Sequence, residues 1–112
     1  MPAKANPPPP ERRAATRYLY NPNATCLLTA TIDDDPWLVR VRNISLTGIS
    51  LLTDRPVEAG RVVNLELRNP LRHLACRVPT QVLYVVEHPS GDWILGCKFV
   101  TELTPEQLRA LT

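Results

Sequence analysis

With 112 residues the chain is long enough for one domain, and a domain of this size removes roughly two thirds of its unfolded surface from water. Its 44% hydrophobic and 21% charged residues are typical of a soluble globular domain, and no apolar run approaches the ~20 residues needed to span a bilayer. A net charge of +2 is too small to indicate a nucleic-acid-binding protein, so we expect neither DNA nor RNA as a partner and no insertion into a membrane.

The first ten residues include five prolines and show no periodicity, which predicts a disordered tail over residues 1–10. This stretch lacks the apolar core of a signal peptide. The three cysteines, Cys26, Cys76 and Cys97, have no C-x-x-C spacing, and each lies in an apolar run. These features indicate buried, reduced thiols and lead us to expect a cytoplasmic protein.

A basic, irregular segment follows over residues 11–23. The chain has 13 basic residues, of which all but Lys4 and Lys98 are arginines, and three of these arginines fall close together: Arg12, Arg13 and Arg17. A general preference for arginine explains the excess elsewhere but does not explain this cluster. The planar guanidinium fork matches phosphates and the edge of guanine, which makes the segment a candidate binding site.

Alternation of apolar and polar residues between turn signals predicts six short strands. They cover residues 24–32, 37–43, 48–53, 63–67, 74–86 and 93–99. In the fifth strand, the period of two places Leu74, Cys76 and Val78 on one face, and we expect Val82, Tyr84 and Val86 to resume this pattern. In the sixth, the same period turns Trp93 and Phe99 inward.

A short helix is predicted at the C-terminal end of the chain. Thr104 has the position of an N-cap, Pro105 that of the first helical residue, and Gln107 completes a capping box. Leu108 and Leu111 give the helix one apolar side, which we expect to plug an open end of a barrel. Six short strands followed by one helix predict an all-β fold, a six-stranded antiparallel β-barrel with a short C-terminal α-helix.

The turn between the second and third strands has a distinctive composition. It reads Asn43-Ile44-Ser45-Leu46-Thr47-Gly48, and asparagine, serine and glycine are typical of a tight turn because glycine accepts positive φ and the short side chains bond the local backbone. The same residues place an amide, a hydroxyl and bare backbone at one spot, where a flat polar ligand can bind. A plain hairpin turn and a ligand site are both compatible with these six residues.

Two motifs and a third, weaker one occur in an order that resembles the PilZ domain. Arg13 and Arg17 fit R-x-x-x-R, Asn43, Ser45 and Gly48 fit [DN]-x-S-x-x-G, and Gly96 with Phe99 fits the G-x-x-F of the last strand. The resemblance covers residues 11–112. It implies a split β-barrel that binds the bacterial second messenger cyclic di-GMP, and therefore a receptor rather than an enzyme.

The resemblance also implies roles for individual residues. Arg13 and Arg17 would contact the phosphates and one guanine edge, and Asn43 and Ser45 would hydrogen-bond the other polar edge. Gly48 would let the ligand lie close to the backbone. Arg12 lies outside the strict motif and would supply a third guanidinium. The family often has aspartate where this chain has Asn43, and an uncharged amide there weakens a contact to the donor edge of guanine.

The expected partners follow from the same resemblance. The ligand is cyclic di-GMP without a cofactor, the effector is an unidentified protein, and the chain is a monomer or a weak homodimer. Ordering of the N-terminal segment would relay the signal.

Catalysis is not expected. His73 and His88 are isolated, and the sequence contains no Gly-rich phosphate loop and no metal-ligand spacing. One alternative is a PilZ-like interaction module that does not bind nucleotide. Another is a small barrel that binds single-stranded nucleic acid, which the few aromatic residues make less favourable.

Overall fold

The computed structural model describes residues 15–112. The predictions for the tail over residues 1–10, for Arg12 and for Arg13 lie outside the described residues. Among residues 15–112 there is no helix with the length and apolar character needed to cross a membrane.

Six antiparallel strands form a closed barrel, in the spatial order β1-β2-β3-β6-β5-β4. The strands are β1 Thr25–Thr29, β2 Trp37–Ile44, β3 Gly48–Thr53, β4 Val62–Asn69, β5 Leu74–Glu87 and β6 Trp93–Phe99. Pairing of β1 with β4, for example Cys26 with Leu67, closes the barrel. A 3-10 turn over Pro70–Arg72 joins β4 to β5, and the helix α1 spans Pro105–Leu111. The predicted fold class is confirmed.

The core fills the barrel from the inner face of every strand. On β4, buried Val63, Leu65 and Leu67 alternate with more exposed residues, as expected for a strand with one face inside and one face in water. The fully buried apolar side chains of the strands and the helix include Cys26, Leu28, Ile44, Ile49, Leu51, Leu65, Leu67, Val82, Leu95 and Leu111.

The C-terminal helix begins as predicted. The Thr104 hydroxyl accepts a hydrogen bond from the Gln107 N–H at 3.1 Å, and the Gln107 side chain accepts one from the Thr104 N–H at 2.9 Å. Leu111 is fully buried. The Asn69 amide donates to the Ala110 carbonyl at 2.8 Å, so the helix is held against the end of β4.

The three cysteines are free thiols, as predicted. Cys26 and Cys97 are buried, and Cys76 is half-buried. Burial raises the pKa of Cys97 from 9.0 to about 12. The pKa of Cys26 is raised by burial and, to a lesser extent, by the neighbouring Cys97. Both thiols therefore stay protonated at neutral pH and are poor nucleophiles.

One prediction about β5 is wrong. Val82 is fully buried, but Tyr84 is 51% and Val86 47% exposed, so these three do not share the inner face. The strand contains a β-bulge: Val82 pairs with Cys97 and Tyr84 pairs with Gly96, which leaves Leu83 as an extra residue. A bulge of this kind reverses the alternation beyond it, so Tyr84 and Val86 face outward.

A second bulge lies in β2, which is separated from β5 by strands β3 and β6. Val41 pairs with Leu51 and Asn43 pairs with Ser50, which leaves Arg42 as the extra residue. Because Val41 is packed against the core, uninterrupted alternation would turn Asn43 inward as well. The bulge instead places Asn43 on the outer surface, next to the fully buried Ile44.

Candidate ligand-binding site

A short backbone pairing joins the N-terminal segment to the barrel. The Tyr18 N–H donates to the Ile44 carbonyl at 2.8 Å, and the Ile44 N–H donates to the Tyr18 carbonyl at 2.9 Å. Two residues further on, the Tyr20 hydroxyl donates to the Thr25 carbonyl at 2.8 Å, and the Tyr20 ring packs on the core. These contacts fix the direction of the chain immediately after Arg17.

Arg17 and Asn43 meet at this pairing. Nη1 of Arg17 donates a hydrogen bond to Oδ1 of Asn43 at 2.7 Å, across 26 positions in the sequence. Arg17 is next to Tyr18, and Asn43 is next to Ile44, so the backbone pairing places the two side chains together. One residue from each of the two main motifs therefore contributes to a single surface site.

Ser45 has a structural role in the turn that follows. It is fully buried, and its hydroxyl oxygen accepts hydrogen bonds from the N–H groups of Thr47 at 3.2 Å and Gly48 at 3.1 Å. The hydroxyl also lies 3.4 Å from the Gly48 carbonyl. The predicted contact from Ser45 to a ligand stays a prediction, and it requires some of these bonds to open.

The expectation that Gly48 provides a positive φ in the turn is wrong. Its φ is not positive, unlike those of Gly60 and Gly91. A Cβ at position 48 would lie 2.5 Å from the carbonyl oxygen of Cys97 on the neighbouring strand β6. Glycine is required because β3 and β6 approach closely at this point, which brings the turn against the barrel wall.

A row of four residues forms the floor of a groove beside Arg17. Asn43 of β2 pairs with Ser50 of β3, Ser50 with Gly96 of β6, and Gly96 with Tyr84 of β5. The row lines a shallow cavity of about 200 Å³, together with Arg17 and Arg42. Both bulges border this row, so both contribute to placing polar and aromatic groups on the same outer surface.

Tyr84 was missed by sequence reasoning. Its side chain lies directly over Gly96, at a position where any Cβ would clash with the ring, and it is half exposed. Aromatic faces of this kind are platforms on which nucleic-acid bases stack. The glycine inside β6 was the available signal, because a strand glycine often marks close approach by another group.

The charge at the groove is positive, and no acidic side chain of residues 15–112 forms an ion pair with it. Both ion pairs found among residues 15–112, Arg55 with Asp54 and Arg68 with Glu66, lie elsewhere. Arg42 is exposed beside the groove, and Arg17 bonds a neutral amide rather than a carboxylate. An anionic ligand would therefore meet guanidinium groups that have no competing acid in the described part of the chain.

Three larger cavities lie away from the described residues of the two motifs, and one of them, of about 390 Å³, borders Asn64 and Arg77. One of about 520 Å³ borders Tyr20 and Arg40, and another of about 900 Å³ borders Trp37 and Arg55. Around the second, the indole N–H donates to the Thr53 hydroxyl at 3.0 Å, and the Arg55 guanidinium lies 4.3 Å from the centre of the Trp37 ring. The groups around the second cavity thus already have partners, and none of the larger cavities is lined by a described residue of either motif. The smaller groove is therefore the better candidate site.

Comparison with known proteins now identifies the family. The family model for the PilZ domain matches residues 11–112. The chain belongs to the PilZ domain family. A search of curated proteins finds no match.

Several solved structures share the fold of this PilZ domain. The YcgR PilZ domain of Escherichia coli with c-di-GMP is 18% identical with a TM-score of 0.67, and the match covers 89% of this chain and 86% of that one. The K. pneumonia MrkH–c-di-GMP complex is 17% identical with a TM-score of 0.68, covering 88% of this chain and 49% of that one. The Bacillus subtilis inhibitor of motility MotI/DgrA is 18% identical with a TM-score of 0.63, covering 89% and 48%. The chain thus spans about half the length of MrkH and MotI.

Proposed function

We propose that this PilZ domain is a cyclic di-GMP receptor. The observation that carries the proposal is the hydrogen bond between Arg17 and Asn43, which brings one residue of each main motif to one edge of a positively charged groove. The names of two similar structures, those of YcgR and MrkH, include c-di-GMP, which supports the same ligand for this chain.

The chemistry of the groove suits a cyclic dinucleotide with two phosphates and two guanines. Arg17, with Arg13 and Arg12 of the preceding segment, supplies guanidinium groups for phosphates and for the O6/N7 edge of guanine. Asn43 contacts a base edge, and Tyr84 supplies a ring on which a base can stack. Ser45 and Gly48 maintain the shape of the turn that presents Asn43.

The signal is relayed by the N-terminal segment. Three arginines in close succession repel one another, and ligand phosphates neutralise that repulsion and draw the segment onto the groove. The output then acts through a separate effector protein in the bacterial cytoplasm, with the receptor as a monomer or a weak homodimer. Amide hydrogen exchange tests the relay: exchange across residues 12–17 slows on addition of cyclic di-GMP, and equal protection with and without ligand rejects it.

Titration calorimetry tests binding directly, with GMP as the control ligand. A micromolar dissociation constant corresponds to about −8 kcal/mol, and we expect binding in this range. Arg17→Ala should weaken it by roughly 1.5–3 kcal/mol, because a charge-assisted contact is lost. The matched control is Arg77→Ala. Arg77 is an exposed residue of β5 that lies opposite Glu66 of β4 in the strand register, away from the groove. Absence of heat and of any shift in melting temperature with wild-type protein would reject the receptor and favour an interaction module that does not bind nucleotide.

A further inference from the structure

The orientation of the Asn43 amide is fixed by its partner. A guanidinium can only donate hydrogen bonds, so the group 2.7 Å from Nη1 of Arg17 must be the amide oxygen. The amide nitrogen then occupies the other branch of the side chain. Within residues 15–112, this nitrogen makes no hydrogen bond of its own, and Asn43 borders the groove. The side chain therefore offers two N–H donors to a ligand.

Asn43 is also more accessible to a base edge than the other polar side chain of the motif. The other polar side chain of the motif, Ser45, is fully buried and bonded within the turn. Ser50, the next residue in the row, has an exposed fraction of only 6%. Among the uncharged side chains at this end of the groove, reading of a base edge therefore depends mainly on Asn43.

An amide and a carboxylate distinguish purines differently. Guanine presents two adjacent donors, N1–H and N2–H, which an acceptor-only carboxylate matches with two hydrogen bonds; adenine has no such pair. An amide has both a donor and an acceptor. It can pair with the O6 and N1–H of guanine, and it pairs equally well with the N7 and N6–H of adenine. Because the amide oxygen has a second lone pair beside the one that accepts from Arg17, Asn43 keeps both a donor and an acceptor for a base edge.

We propose that the base position at Asn43 does not discriminate guanine from adenine, and that this domain binds a mixed cyclic dinucleotide with one guanine and one adenine about as well as cyclic di-GMP. The guanine of the mixed ligand occupies the Arg17 side of the groove, where a guanidinium reads O6 and N7, and the adenine lies against Asn43. This proposal rests on the receptor function proposed above and defines the ligand class of the same site.

The test measures dissociation constants by calorimetry for cyclic di-GMP, the 3′,3′-linked mixed guanine–adenine dinucleotide and cyclic di-AMP. The proteins are the wild type, Asn43→Asp and Asn64→Asp. Asn64 is an exposed residue on β4, away from the groove, so it reports the effect of the same change in charge elsewhere. The readout is the ratio of the mixed-ligand constant to the cyclic di-GMP constant, because any pairing of a new carboxylate with Arg17 affects both ligands alike.

We expect a ratio below about threefold in the wild type and in Asn64→Asp, and at least about tenfold in Asn43→Asp, the size of one lost bidentate base contact. Cyclic di-AMP should bind more weakly than either in all three proteins, since it offers no guanine to the arginines. A wild-type ratio of about tenfold or more, or an unchanged ratio in Asn43→Asp, overturns the inference while the receptor function stands. No binding of any cyclic dinucleotide by the wild type overturns both.

Discussion

Replacing Gly48 by alanine should destabilise the barrel at the point where β3 approaches β6. The new Cβ would lie 2.5 Å from the carbonyl oxygen of Cys97, and that oxygen belongs to backbone that cannot rotate away. Overpacking of this kind costs about 1–3 kcal/mol, and the lower entropy of unfolded alanine recovers roughly 0.5–1 kcal/mol. We expect a net loss of about 1–2 kcal/mol.

Thermal unfolding followed by circular dichroism measures this loss. For a domain of about 100 residues, 1 kcal/mol shifts the melting temperature by roughly 4–8 °C, so Gly48→Ala should melt at least about 5 °C below the wild type. Gly96→Ala is the matched control, because its Cβ clashes with the half-exposed ring of Tyr84, which can swing into solvent. We expect Gly96→Ala to stay within about 1 kcal/mol of the wild type. Equal melting temperatures for Gly48→Ala and the wild type would show that the strands separate freely here and that the argument is mistaken.

Three further predictions concern the groove, the core and the N-terminal segment. Tyr84→Ala should weaken cyclic di-GMP binding by ~1–3 kcal/mol while Tyr84→Phe binds normally, because a base stacks on the ring and not on the hydroxyl; similar affinities for both variants in calorimetry argue against stacking. Burial raises the pKa of Cys97 from 9.0 to about 12, so the free energy of unfolding should fall as pH rises above 9.0, where only the unfolded thiol ionises. Urea titrations at about pH 7.5 and about pH 10 should show a loss that is about 1.4 kcal/mol larger for the wild type than for Cys97→Ala, and identical losses would contradict the shift. If Arg12 supports a second, stacked ligand molecule, calorimetry should give two cyclic di-GMP per chain in the wild type and a value nearer one in Arg12→Ala; one per chain in both proteins rejects this.

The fold was largely predictable because alternation carries most of its information. The sequence predicted β3 at residues 48–53 and β6 at 93–99, and the structure has the same bounds. The capping box of Thr104 and Gln107 depends only on local spacing, so it too was found. The end of β1 was predicted less well. The first strand was predicted over residues 24–32, but in the structure it ends at Thr29. The prediction was too long because β-branched residues continue into the loop.

The bulges were not predictable, and the site depends on them. An extra residue such as Leu83 leaves no mark in the hydrophobic pattern, because both Val82 and Tyr84 are suitable for either face of a strand. The prediction that Tyr84 shares a face with Val82 was therefore wrong. As a result, the aromatic group at the groove was not recognised from the sequence. The family resemblance assigned Arg17 and Asn43 to one ligand site, but their direct contact was not predicted, since a separation of 26 positions indicates no contact by itself.

The paired bulges also bear on how this site tolerates change. Arg42 and Leu83 are each one residue in excess of their partner strand. Deleting either one removes the bulge, but Asn43 or Tyr84 then directly follows an inward residue and still faces outward. A substitution changes one contact in the groove, whereas a one-residue deletion at a regularly paired position of β2 or β5 changes which face the rest of that strand presents. The number of residues in each of these strands is thus as important to the candidate site as residue identity. A change in the length of a loop, by contrast, leaves the outward face of each strand unchanged.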